Sequence, residues 1–193
     1  MTDFGFWFDT GMWHIADWQA YDHILFLLAL CGLYRWSDWK SLLLLVTAFT
    51  LGHSLTLALA VLNVLHFPSS AIELAIPLSI LITCLYNFGR LKQNSRKADA
   101  VRYLMALFFG LIHGLGFSFL LKSMLGQEHS ILLPLFAFNV GLEAGQLLIL
   151  TLILLVGSLV RRLGVAERDW RFFLSAATFG IALVMSLERF THL

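Results

Sequence analysis

Trp13-His14-Ile15-Ala16-Asp17-Trp18-Gln19-Ala20-Tyr21-Asp22-His23, running straight into Ile24-Leu25-Phe26-Leu27-Leu28-Ala29-Leu30, is the stretch that decides how the chain folds. It sets four ionisable residues at the mouth of an apolar run. An aspartate carried to the centre of a helix in lipid costs roughly 2.5–3.5 kcal/mol, so such residues face a cavity, a partner or an ion. Asp22 and His23 therefore require a counterpart elsewhere in the chain.

Working outward, the rest of the sequence is equally apolar. Of 193 residues, 59% are hydrophobic and 13% charged, with a mean hydropathy of +0.81, far from the balance of a soluble domain. The chain reads as an all-α polytopic membrane protein, one helical bundle whose first partner is the lipid bilayer. Apolar runs fall at about 18–34, 40–62, 70–89, 101–121, 131–158 and 171–189, six expected spans of about 20 residues each. Residues 1–16 lack the basic start of a secretory leader and read as a retained interfacial segment. Cys31 and Cys84 lie in apolar runs without CxxC spacing, which makes them packing residues. With a net charge of +1 and no basic tract, nucleic acid is not an expected partner.

Charge placement gives the expected orientation. Arg35, Lys40, Arg90, Lys92, Arg96, Lys97, Arg102, Arg161, Arg162, Arg168 and Arg171 fall on one side, and only Lys122 and Arg189 on the other. The positive-inside rule then puts both termini outside the cytoplasm. Trp7, Trp13 and Trp18 read as outer-interface anchors, and Trp36, Trp39 and Trp170 as inner ones.

Within that frame the polar groups share helix faces, mostly in the outer half. Asn139, Glu143 and Gln146 form a stripe at i, i+4 and i+7, with Gly141 and Gly145 beside it. Thr47, Thr50, His53 and Ser54 make a similar face, and Gly110 and Gly114 flank His113 so that a neighbouring backbone can approach the imidazole. Phe49-x3-His53-Ser54-Leu55 echoes Phe109-x3-His113-Gly114-Leu115, each followed by a helix bearing a glutamate, Glu73 or Glu143. Such an echo fits a duplicated hairpin.

Imidazole with carboxylate suits a borderline divalent ion: nickel, zinc, cobalt or iron. Asp22, His23, His53, His113 and Glu143 are the expected metal ligands, with His14 a further candidate. Asp17, Ser54, Glu73, Asn139 and Gln146 are expected to support them. The competing readings are structural: His53 satisfied by Thr50 or Ser54, Asp22 capping its helix and pairing with His23, Glu73 placed by a helix dipole. His66, His129 and His192 read as incidental, and Glu188 with Arg189 as an interfacial pair.

Four motifs in order carry a resemblance. Asp22-His23-Ile24-Leu25-Phe26, Thr47-Ala48-Phe49-Thr50-Leu51-Gly52-His53-Ser54, Gly110-Leu111-Ile112-His113-Gly114-Leu115-Gly116-Phe117 and Phe138-Asn139-Val140-Gly141-Leu142-Glu143-Ala144-Gly145-Gln146 resemble the HupE/UreJ family of small bacterial membrane proteins. The resemblance implies a metal permease of the bacterial inner membrane, with nickel the usual substrate. It also implies metal-binding roles for His14, Asp22, His23 and His113. Two departures from the family pattern stand out: His14 lies farther from Asp22, and Gly116 replaces a glutamate, which leaves Glu143 to supply a carboxylate.

Three functions compete at this stage. The first is a divalent-metal permease loaded from outside through Asp3, Asp9, His14 and Asp17. The second is an intramembrane hydrolase in which bound zinc activates water beside Glu143. The third is a haem protein with His53 and His113 as axial ligands. Assembly as a homo-oligomer is compatible with each.

Overall fold

The computed structural model describes residues 3–18, 21–91, 100–126 and 130–191. Among them are seven α-helices and no strand: α1 (Phe4–Ala16), α2 (Asp22–Cys31), α3 (Trp39–Val61), α4 (Ser69–Gly89), α5 (Ala100–Leu125), α6 (Leu132–Arg162) and α7 (Glu167–Phe190). Local chemistry sets their ends. The Asp3 carboxylate accepts from the Gly5 N–H at 2.9 Å and caps α1. Gly164, at φ +87°, ends α6 in the left-handed conformation that glycine adopts without strain.

Five helices, α3 to α7, are long and apolar enough to cross a membrane, and they coincide with five of the six expected runs. The first run is different. Among its described residues 10 are helical, as α2, a length of about 15 Å, half of a hydrocarbon core of about 30 Å. The opening stretch itself divides the run: α1 ends at Ala16, Asp17 and Trp18 are not helical, and α2 begins at Asp22.

Direction and packing follow from glycines. On α6, a Cβ at Gly141 would stand 1.9 Å from the Phe8 carbonyl oxygen, and one at Gly145 would meet Met12 and Ile15. The contact advances along both chains, so α1 and α6 run in the same direction, backbone against backbone. Residues 4–16, expected at the interface, thus lie along a spanning helix with Trp7, Gly11 and Ile15 buried. In α3 and α5 the same device recurs: Cβ atoms at Gly110 and Gly114 would each come within 2.2 Å of the Phe49 and His53 carbonyl oxygens. These are the two helices of the internal echo, parallel and in contact.

A third pair, α4 with α7, completes the bundle, and α2 sits among α4, α6 and α7. Along one side of α2, Ile24 and Leu28 share a cavity wall with Leu148, Leu152 and Val156 of α6. Trp13 and Ala16 at the end of α1 line the same cavity, and the α1 contacts at Gly141 and Gly145 precede it on α6, so α1 and α2 follow α6 in succession.

Several outward faces are apolar and exposed, among them Leu44, Leu51, Phe119, Leu132, Leu148 and Leu155, as a lipid-facing surface requires. Trp13 and Trp18 are exposed, whereas Trp7 and Trp170 are buried in packing and are not interface anchors. Of the cations expected on the cytoplasmic side, Lys92, Arg96 and Lys97 lie outside the described residues, as do His129 and His192. Arg35 pairs with Glu167, tying the α2–α3 connection to α7. Arg102 is buried over the rings of Tyr34 and Tyr86, at 5.4 and 5.3 Å.

Candidate metal centre

His14 arrives on the last turn of α1, His23 on the first turn of α2, His53 on α3 and His113 on α5. One ligand atom from each of His14, His23 and His53 lies within 4.8 Å of the other two. Two nitrogens each about 2.1 Å from a tetrahedral ion stand roughly 3.4 Å apart, so a small closure of the rings completes coordination. His113 adjoins the group, its ring 5.1 Å from that of His23.

What the imidazoles lack is as informative as where they stand. His14 Nε2, His23 Nε2, both nitrogens of His53 and His113 Nδ1 are buried without a hydrogen-bond partner among the described residues. A buried polar atom left unpaired costs about 1–3 kcal/mol. Several of them around one point fit a group that takes up lone pairs, which is what a metal ion does. The structural alternative for His53 does not occur: Thr50 and Ser54 bond elsewhere.

Two neighbours set ring tautomers. Ser79 Oγ donates its one proton to the Ile76 carbonyl at 2.6 Å and stands 3.2 Å from His113 Nε2. With that proton on the carbonyl, the tautomer of His113 that suits Ser79 is the one with its proton on Nε2 and a lone pair on Nδ1. Asp22 Oδ1 accepts from the His23 N–H at 2.8 Å and lies 2.9 Å from His23 Nδ1. A carboxylate there favours the proton on Nδ1 and frees Nε2 for an ion. Asp22, on the first turn of α2, thus holds both the backbone N–H and the ring of His23.

Phenylalanines wall the centre. Phe117 lies 3.8 Å from the His14 ring and stacks on Phe138 at 5.1 Å, while Phe26 and Phe49 lie 5.2 and 5.4 Å from His113. Access comes from one side through a cavity of about 770 Å³, lined by His14, Asp17, Asp22, His23, Glu73 and His113 among others. At that cavity Arg189 of α7 donates to Glu73 of α4 at 2.7 Å, so the partner of Arg189 is Glu73 and not the adjacent Glu188.

The remaining expected residues form a second group, between α3 and α6. Ser54 donates to Asn139 Oδ1, and Asn139 Nδ2 donates to the Leu135 carbonyl at 2.7 Å. Thr47 Oγ1 donates to Glu143 at 2.9 Å, and Thr50 Oγ1 lies 2.8 Å from Gln146 Oε1. The two polar faces legible in the sequence meet each other here. Glu143 is not in the three-histidine group. Ser79 did not stand out in the sequence, and Phe26 and Phe138 appeared there only within motifs, with no role of their own. A lone serine in an apolar helix was the one available signal, and the phenylalanines carry none, because they are ordinary in any membrane span.

The arrangement defines a polytopic helical membrane protein with an imidazole-lined centre reached through an acidic cavity. A family model described as HupE / UreJ protein matches residues 1–189, and the chain belongs to the HupE/UreJ family. That family is associated with metal transport in bacterial membranes. No curated protein and no solved structure matches the chain.

Proposed function

We propose that the chain is a divalent transition-metal permease of the bacterial inner membrane, with nickel, cobalt, zinc or iron as cargo held by His14, His23, His53 and His113. The observation that carries the reading is the convergence of buried imidazole nitrogens that have no hydrogen-bond partner among the described residues. Neutral imidazoles without thiolates suit an ion that must be released as well as bound. Asp22 orients His23, and Asp17 and Glu73 make the cavity attractive to a cation.

Six crossings with both termini extracytoplasmic remain the proposed topology, the first crossing being α1 and α2 in succession. Interrupted spanning helices that carry a site at the break are a recurring device of secondary transporters. His14 and His23 flank this one. The tight pairs support a way of moving the ion: His14 rides with α1 and α6, His53 and His113 with α3 and α5, and His23 with α2 among α4 and α7. Rocking one pair against the others separates the ligands and opens the site. The His23 ring, 6.0 Å from His53 and 5.1 Å from His113, occupies the space a porphyrin needs between those two as axial ligands.

Purified protein in sealed vesicles tests the proposal. Metal uptake is expected with the native chain and is expected to fall at least tenfold with His23→Ala or His53→Ala. Metal retained at the histidines with no uptake under any imposed gradient would reject transport and turn the reading towards an intramembrane metal-dependent hydrolase.

A further inference from the structure

Glu143 is a carboxylate in a spanning helix, half-buried, whose polar partner is the neutral Thr47 hydroxyl. The carboxylates paired with a Lys, Arg or His side chain in the described ion pairs are Asp22, Glu73 and Glu167. In lipid, a carboxylate without a fixed counter-charge calls for a mobile one.

Next to it, Gln146 is fully buried and its Nε2 has no acceptor. Thr50 has one hydroxyl proton and two acceptors in reach, the Val46 carbonyl at 3.1 Å and Gln146 Oε1 at 2.8 Å. Because oxygen and nitrogen of a glutamine amide are assigned by their bonding, the turned-over amide gives both Thr50 contacts a donor and an acceptor and exchanges the unpartnered nitrogen for an unpartnered oxygen. Gln146 N–H then donates to Thr50, Thr50 donates to Val46, and Gln146 Oε1 is left bare. Glu143 and Gln146 are i and i+3 on α6, and Thr47 and Thr50 are i and i+3 on α3, so all four share one patch of the interface.

We infer that this patch is a second cation site, distinct from the imidazole centre, which binds an alkali ion such as sodium through the Glu143 carboxylate, the Gln146 carbonyl and the Thr47 hydroxyl. Its ligands are all hard oxygens, unlike the imidazoles that borderline metals prefer, and its single carboxylate balances the charge of a monovalent ion. The inference stands on the α3–α6 geometry and does not depend on the permease reading.

The test is thermal unfolding of metal-free full-length protein in detergent, with sodium chloride against choline chloride at equal ionic strength. Sodium is expected to raise the midpoint saturably in the native chain, with that rise lost in Glu143→Gln and reduced in Thr47→Val. His53→Ala, which damages the other centre, is expected to retain it. Equal midpoints in the two salts, or a sodium effect that persists in Glu143→Gln, would overturn the site. Sodium-22 binding to the folded native and Glu143→Gln proteins is expected to show a tenfold or greater loss in the variant, and equal binding would overturn it independently of any change in stability.

Discussion

At the residue scale, the centre depends on which nitrogen of each imidazole keeps its proton. Ser79 illustrates this: it touches no ion, yet its hydroxyl suits the tautomer of His113 with a lone pair on Nδ1. Removing a group that orients a metal-binding histidine commonly costs 10–100-fold in affinity. Ser79→Ala is therefore expected to weaken nickel or zinc binding by about that factor, measured by metal titration of the purified, folded protein. Unchanged affinity would remove Ser79 from the centre and leave the tautomer of His113 unassigned. Asp22→Asn is expected to act in the same direction through His23, since an amide offers weaker acceptance to Nδ1–H than a carboxylate.

At the scale of elements, the helices are joined in pairs by backbone contact. Lipid supplies no hydrophobic drive between spanning helices, so close van der Waals approach at small residues has to hold them. Gly110→Ala places a methyl 2.2 Å from the Phe49 carbonyl oxygen, and Gly141→Ala places one 1.9 Å from that of Phe8. Each is expected to lower stability by about 1–3 kcal/mol or more, through forced separation of the pair. Gly180→Ala meets nothing within 4 Å and is expected to leave stability unchanged or slightly raised, since alanine is the better helix former. Thermal unfolding of the three variants in one detergent decides the matter. If Gly110→Ala and Gly180→Ala behave alike, α3 and α5 are not held by backbone approach.

At the scale of the whole molecule, the proposed first crossing by α1 and α2 has a consequence for topology. The proposed arrangement puts the connections near residues 66 and 126 outside and the one near residue 164 inside. With Cys31 and Cys84 fully buried, single cysteines at positions 66, 126 and 164 can be probed by an impermeant thiol reagent in intact cells. The first two are expected to react and the third only after the membrane is opened. Reaction at position 164 in intact cells would reverse the orientation, and reaction at all three would break the span count.

Much of this was legible in order along the chain. Five of the spans were, because helix formation in lipid is dictated locally: every backbone group must be bonded within its own segment, and apolar length shows that directly. Candidate ligands were legible too, since an ionisable side chain placed in an apolar run needs a reason wherever it occurs. What the tertiary structure alone decided was the grouping. His14, His23 and His53 meet while Glu143 pairs with Thr47, and α1 lies along α6 instead of at the surface. Those outcomes depend on which helix faces come together, and that follows from contacts between residues more than a hundred positions apart, such as Phe8 with Gly141, which no local pattern encodes.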